Sequence, residues 1–208
     1  MTSDERRSMP YSKYFGEMPI TETQKKKRTE AAKKLQSTLE EVFLLIREAQ
    51  RGVLQGFDAL NVIGTAYSMI RDGYIDTMPD DLADTEFASI YVNQFANDTV
   101  RATYDHIDDE YYTSEDRAMF IAENEANTMY EDEDYILAMK EGMTRKRWLT
   151  MQDRRVRDTH REVEGVTIPI DEFFQVGEAL MLYPKDVING GDHPEEIVNC
   201  RCSCEYLP

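Results

Sequence analysis

The last quarter of the chain carries a group of cysteine and histidine residues whose spacing suits metal binding. Cys200, Cys202 and Cys204 alternate along one segment, so on an extended strand all three side chains would point to the same face. Zinc prefers four thiolate or imidazole ligands in a tetrahedron. Four residues could complete such a set, with Cys204 in reserve: Cys200, Cys202, His160 and His193. The pattern therefore predicts one structural zinc ion.

The same spacing leaves two alternatives open. Structural zinc sites usually contain Cys-x2-Cys pairs, which this sequence lacks, so the cysteines could instead be small buried residues beside hydrogen-bonded histidines. The other alternative is a zinc hydrolase or toxin-like enzyme. There, two cysteines and one histidine hold the metal, water fills the fourth position, and Glu162 or Asp153 acts as the base. A closed four-ligand site would exclude that enzyme.

A second group precedes the cysteines in the sequence. Asp153, Arg157 and His160 are spaced by four and three residues, which places them on one face of a helix and allows an Asp-to-Arg ion pair. A structural role, fastening this segment to the cysteine-bearing strand, is favoured over general base catalysis because no nucleophile or phosphate-binding loop accompanies the group. Trp148 is expected in the core. Common enzyme signatures are absent from the sequence, so no enzyme is predicted.

The elements that must position these residues change character near Gly142. After it, the segments 147–151, 163–170, 180–183 and 198–206 favour short strands between turn residues, and residues 153–161 favour a short helix or helical turn. The fold class predicted is α+β, with an N-terminal helical region followed by a small mixed α+β domain, residues 145–208, whose strands are mostly antiparallel.

The N-terminal region is expected to be helical from residue 21 to 144, after a leader at 1–20. Thr21 and Gln24 form a capping box that predicts the start of a long helix over 21–55. Acidic helices are expected within 57–141, at about 57–72, 84–108 and 114–130, with Asp84 and Ser114 as N-caps.

The long helix carries an apolar seam at alternating steps of four and three: Leu35, Leu39, Val42, Ile46, Ala49 and Val53. Packing of this seam on the rest of the same chain is favoured over a self-associating coiled coil, which needs more heptads. Docking of the seam on another subunit is the remaining alternative.

The net charge of −17 is concentrated in the middle of the chain. Residues 1–55 carry +3, residues 56–144 carry −17 and residues 145–208 carry −3. An acidic middle third argues against binding along a DNA backbone and favours solubility and docking to a basic surface. A DNA-binding module using Lys25 to Lys34 and Arg145 to Arg157 stays open as an alternative. No apolar run is long enough for a membrane span.

Three sequence blocks carry a resemblance to a known family. The first is Lys146 to Met151 followed by Asp153 to Arg161. The second joins Gly165 to Ile170, Phe173 to Leu180 and Tyr183-Pro184 with Asp186, and the third is Asn199-Cys200-Arg201-Cys202. From about residue 112 to 206, the chain resembles the C-terminal domain of the phage Mu F-like minor head proteins, the phage head morphogenesis family. Glu123 stands where members often carry an arginine.

The resemblance implies a phage or prophage minor head (capsid) protein that acts in head morphogenesis by binding and not by catalysis. The implied partners are the portal protein or the major capsid protein, without a membrane, and a contact with packaged DNA is left open. The protein would reside in the virion, and in the cytoplasm of the bacterial host during assembly. The residues expected to hold the domain together are Trp148, Asp153, Arg157, His160, Cys200 and Cys202, and docking is expected from the seam between Leu35 and Val53.

Overall fold

The computed structural model describes residues 14–52 and 59–208. In these residues an N-terminal helical part is built from four helices: α1 (Glu22–Gln50), α2 (Ala59–Ile75), α3 (Val92–Asp105) and α4 (Glu115–Lys140). Short 3-10 turns at Asp80–Leu82 and Glu110–Thr113 and a π-helical turn at Phe87–Tyr91 lie in the connections. No described helix is both long enough and apolar enough to cross a membrane.

Two of the three predicted helix caps are confirmed. The Gln24 amide donates to the Thr21 hydroxyl at 3.3 Å, and the Thr21 amide donates back to Gln24 Oε1 at 2.9 Å. Ser114 Oγ accepts from the Arg117 amide at 3.2 Å and caps α4. The cap predicted at Asp84 is wrong because the helical turn begins at Phe87, after Glu86.

The apolar seam of α1 lies inside the chain. Leu35, Leu39, Val42 and Ile46 are each 3% exposed or less, and α1 packs against α2 and α4. Burying such a stripe against neighbouring helices removes it from water and contributes much of the stabilisation of the helical part. The expectation that this seam docks on another subunit is therefore corrected for these four residues, whereas Val53 lies outside the described residues.

The C-terminal part contains five short strands and two short helices. They follow in the order β1 (Arg145–Leu149), α5 (Asp158–Glu162), β2 (Thr167–Pro169), β3 (Phe174–Val176), β4 (Ala179–Met181), α6 (Pro194–Ile197) and β5 (Ser203–Leu207). Strand β1 is central in an antiparallel sheet of order β2-β1-β5, and β3 pairs with β4 in an antiparallel hairpin. The α+β fold class is confirmed, while the domain division at residue 145 stays a prediction.

The helix expected over residues 153–161 is shorter than predicted and begins at Asp158. The Asp153 carboxylate accepts from the Arg155 amide at 2.9 Å, a local turn that competes with helix formation. Asp153 therefore precedes α5 and does not share a helical face with His160.

Each part has its own apolar core. The larger cluster lies among the four helices and includes Phe15, Phe43 and Tyr74. The smaller cluster lies in the C-terminal part and includes Trp148, Phe174, Cys200 and Cys202. Two cysteines of the predicted metal site are thus built into the small core.

Candidate metal centre

His160, Cys200 and Cys202 meet in one buried cluster. Their ligand atoms all lie within 4.8 Å of one another, and His160 Nδ1 is 3.3 Å from Cys202 Sγ and 3.6 Å from Cys200 Sγ. Tetrahedral zinc with ordinary bond lengths would hold a nitrogen and a sulfur ligand about 3.6 Å apart. His160 Nδ1 therefore stands close to the separation from each sulfur atom that a zinc ion requires.

The His160 ring is fixed from its other side by a carboxylate. Nε2 lies 3.0 Å from Glu196 Oε2, and the Thr159 hydroxyl donates to the same oxygen at 2.8 Å. Metal-binding histidines commonly donate their second ring N–H to a carboxylate, which points the free nitrogen at the metal. Here that arrangement turns Nδ1 towards the two sulfur atoms.

A glycine makes room for this carboxylate. Gly177 begins the turn between β3 and β4 with a φ of 59°, and a Cβ atom there would lie 2.6 Å from Glu196 Oε1. Only glycine combines that backbone conformation with so close an approach at no steric cost. Glu196 and Gly177 were not found by sequence analysis, because no local spacing connects them to His160.

The loop that carries Cys200 is held by α4. Asn199, with a φ of 59°, donates its amide to Asn124 Oδ1 at 2.9 Å. Asn127 Nδ2 donates to the Cys200 carbonyl at 3.2 Å. Within the loop, the Cys202 amide donates to Cys200 Sγ at 3.4 Å. Two asparagines of the helical part therefore help to place the candidate ligands.

The pKa values of all three candidate ligands are shifted, and the shift at Cys200 favours metal binding. Burial by itself would raise the pKa of the Cys200 thiol, but hydrogen bonds from Cys202 and His160 hold that pKa well below its usual value. Burial opposes the charged form of His160, yet the hydrogen bond and negative charge of Cys200 raise the pKa of the imidazole. The hydrogen bond with Cys200 and burial raise the pKa of Cys202. A thiolate is thus stabilised at Cys200, and thiolates are the form that binds metal.

Two residues that the sequence proposed as metal ligands lie outside the cluster. His193 precedes α6 and its Nδ1 lies 3.2 Å from Glu195 Oε1, so the structure does not bring it to the other candidate ligands. Cys204 pairs with Trp148 across the sheet and is also outside the cluster. The three cysteines do not all belong to one strand, because β5 begins only at Ser203 and Cys200 precedes it.

Asp153 and Arg157 contact the cysteine-bearing loop separately. Asp153 accepts two hydrogen bonds from Arg201, at 2.9 and 3.1 Å, and the Arg157 guanidinium donates to the Val198 carbonyl. The expected Asp153–Arg157 pair is not formed, because Asp153 lies outside α5. Both residues nevertheless connect the segment around α5 to the loop.

Trp148, the only tryptophan, is fully buried against the cluster. Its ring centroid lies 5.6 Å from that of His160 and 5.1 Å from that of Phe174, both in edge-to-face geometry. It closes the apolar side of the cluster and excludes water there.

The two carboxylates proposed as bases for a hydrolase are poorly placed. Burial alone would raise the pKa of Asp153, but hydrogen bonds from Arg201 and Arg155 lower it, which makes this carboxylate a weak base. Glu162 is exposed and does not line the small cavity beside the cluster. The described residues that line this cavity include no carboxylate.

Replacing each of the two histidines separately tests the cluster directly. We expect His160→Ala to abolish zinc binding and His193→Ala to leave about one zinc per chain, because only His160 faces the thiols. Elemental mass spectrometry on the purified proteins measures this, with Cys202→Ser and Cys204→Ser as a second matched pair. Equal zinc loss in both histidine variants would make His193 a ligand and contradict the cluster.

One comparison with known proteins gives a match, and it covers the part of the chain that contains the cluster. The family model described as Phage Mu protein F like protein matches residues 94–205, more than half of the 208 residues. The matched segment runs from within α3 into β5 and contains all three residues of the cluster. No curated protein and no solved structure matches the chain significantly.

Proposed function

Because the chain belongs to the phage Mu protein F like family, we propose that it is a minor head protein that acts in head morphogenesis of a tailed phage or prophage. The family match over residues 94–205 is the observation that carries this proposal. The family points to a structural role and to association with the virion.

We further propose that His160, Cys200 and Cys202 hold one zinc ion. The ion would supply folding free energy by joining α5 to the loop before β5. Through Asn124 and Asn127, the same loop is bonded to α4. The centre would thus fasten the C-terminal part of the chain internally and also to the helical part.

The partner proposed is the portal protein or the major capsid protein, contacted through an acidic surface. Since the α1 seam is internal, docking has to use other residues. Asp108 and Glu110 are exposed in the connection between α3 and α4, within the third of the chain that carries −17. Such a surface suits a basic face on the partner.

DNA is the less favoured partner because most of the basic cluster on α1 is already paired. Lys25, Lys26 and Lys27 form ion pairs with Glu22, Glu30 and Glu133, and Arg28 is fully buried. These side chains offer little uncompensated positive charge to a phosphate backbone.

Sedimentation of the purified full chain with the portal protein or major capsid protein of the same phage tests the proposal. We expect a complex with one of them at low salt that weakens as salt is raised. Asp108→Asn with Glu110→Gln should weaken it, whereas the exposed pair Asp171→Asn with Glu172→Gln serves as a control of equal charge. The absence of a complex with either protein, together with absence of the chain from purified virions, would overturn the proposal.

A further inference from the structure

We propose that the metal centre is open: the protein supplies three ligands, and an exchangeable water or small monodentate anion occupies the fourth position. This inference rests on the zinc site proposed above. It deepens that proposal, because a closed four-ligand zinc site would be purely structural and inert towards small ligands.

The first argument is the number of available donors. Among the residues that the structure describes, no fourth His, Cys, Asp or Glu joins the group formed by His160, Cys200 and Cys202. Neighbouring donors are engaged elsewhere. Glu196 bonds the far nitrogen of His160, and Asp153 is bonded to Arg155 and Arg201.

The second argument is space beside the thiols. A cavity of about 20 Å³ is lined by all three candidate ligands. That volume accommodates one water molecule, which needs roughly 10–15 Å³ by the same measure. Arg157 and Asn199, both partly exposed, also line the cavity and give it access to the surface. A ligand of one or a few atoms can therefore reach the fourth position without unfolding the core.

The third argument is charge. Three guanidinium groups line the cavity, from Arg155, Arg157 and Arg201. Asp153 and Glu17 pair with Arg155 and Arg201, whereas Arg157 donates to a neutral group, the Val198 carbonyl. Two thiolates would balance the charge of a zinc ion, so the Arg157 guanidinium that lines the cavity favours an anion over a neutral ligand at the fourth position.

Cobalt substitution provides the test, because Co²⁺ occupies zinc sites and its absorption bands report the ligands. The full chain is reduced, stripped of metal and loaded with Co²⁺. Thiolate-to-cobalt bands in the near ultraviolet would establish binding by the cysteines, and failure to see them would overturn the zinc proposal itself. Cys204→Ser is the matched control and is expected to give the parent spectrum, since Cys204 lies outside the cluster.

Titration of the cobalt protein with azide then tests the open position separately. We expect a saturable change in the visible ligand-field bands while the thiolate bands persist. Arg157→Gln should weaken azide binding by about tenfold and leave the thiolate bands unchanged. Thiolate bands with visible bands that do not respond to azide would establish a closed centre and overturn the inference, while leaving the zinc proposal intact.

Discussion

Replacement of Arg28 by methionine is expected to lower the free energy of unfolding at pH 9 by about 3–5 kcal/mol. Arg28 is fully buried, with Nη2 3.0 Å from Glu131 Oε1 and 2.9 Å from Asp134 Oδ2. Methionine keeps much of the volume but removes the charge that compensates these two carboxylates. Breaking a buried ion pair is costly because the remaining charge stays in a medium of low dielectric.

The cost should depend on pH. Burial raises the pKa of Glu131 to about 8, and Arg28 opposes that rise. Without Arg28, the pKa of the folded protein's Glu131 moves further above that of the unfolded chain. A carboxyl whose pKa is raised by folding costs stability as pH rises towards that pKa, so the variant continues to lose stability above pH 8, where the parent no longer does. The difference in the free energy of unfolding between parent and variant should therefore be larger at pH 9 than at pH 6.

Urea denaturation followed by circular dichroism measures the effect. Lys26→Met, at a side chain 76% exposed on the same helix, is the control and should change stability by less than about 0.5 kcal/mol. The double variant Arg28→Met with Glu131→Gln should recover part of the loss, because it removes one of the carboxylates left uncompensated. A single variant as stable as Lys26→Met would contradict the importance of the buried pair.

Arg28 also connects the helical core to the candidate metal centre. Its Nε donates to Asn127 Oδ1 at 2.9 Å, which directs the amide group of Asn127 to the Cys200 carbonyl. The side chain of one residue in α1 thus helps to fix the backbone of a candidate ligand 172 positions later. Weaker metal binding in Arg28→Met would follow from the same contacts.

Sequence analysis located those features that depend on local spacing. The capping box at Thr21 and the cap at Ser114 involve residues three positions apart, so their geometry is set by a single helical turn. The seam on α1 was recognised by its periodicity. Its internal packing was the favoured interpretation, but periodicity does not say which surface covers an apolar stripe, and the competing expectation of docking was wrong.

The candidate centre was predicted in part. Cys200, Cys202 and His160 were identified from residue type and from the resemblance to a family, but His193 and Glu196 could not be ranked from spacing. Their roles are decided by the turn before β5 and by the approach of α6 to Gly177, which are long-range contacts. A histidine two residues from an acid can as readily bond that acid as a distant metal.

The charged residues were the least predictable. Sequence analysis expected the acidic middle of the chain to serve solubility and docking, yet Glu123, Glu125 and Glu131 are buried on α4. Glu125 accepts hydrogen bonds from the Tyr74 and Tyr91 hydroxyls. Composition cannot reveal such burial, because the compensating groups lie on other helices.

Replacement of Glu123 by glutamine is expected to stabilise the protein above neutral pH. Glu123 is 3% exposed, and its Oε1 accepts no hydrogen bond in the part of the chain that the structure describes. Burial raises the pKa of this carboxyl to about 8. In the unfolded chain the Glu123 carboxyl ionises near pH 4.3. The contribution of this carboxyl to the free energy of unfolding is therefore complete below pH 4.3 and is lost as pH rises towards 8.

Glutamine resembles the protonated carboxyl and removes this loss. The free energy of unfolding of Glu123→Gln relative to the parent should therefore grow by up to about 1.4 kcal/mol per pH unit between pH 5 and 7. The gain should level off near pH 8 at a total on the order of 5 kcal/mol. Urea denaturation at several pH values measures it, with Glu41→Gln, exposed on α1, as the control.

A stability gain of Glu123→Gln that grows with pH would mean that the folded chain keeps the Glu123 carboxyl neutral. Other members of the family that the chain resembles often carry a cation at this position. A constant offset, or none, would mean that the carboxylate finds solvent or a positive partner when folded. The two outcomes separate a carboxyl that is tolerated by taking up a proton from one that is tolerated by pairing. Only the first makes the contact between α4 and the rest of the core weaken as pH rises.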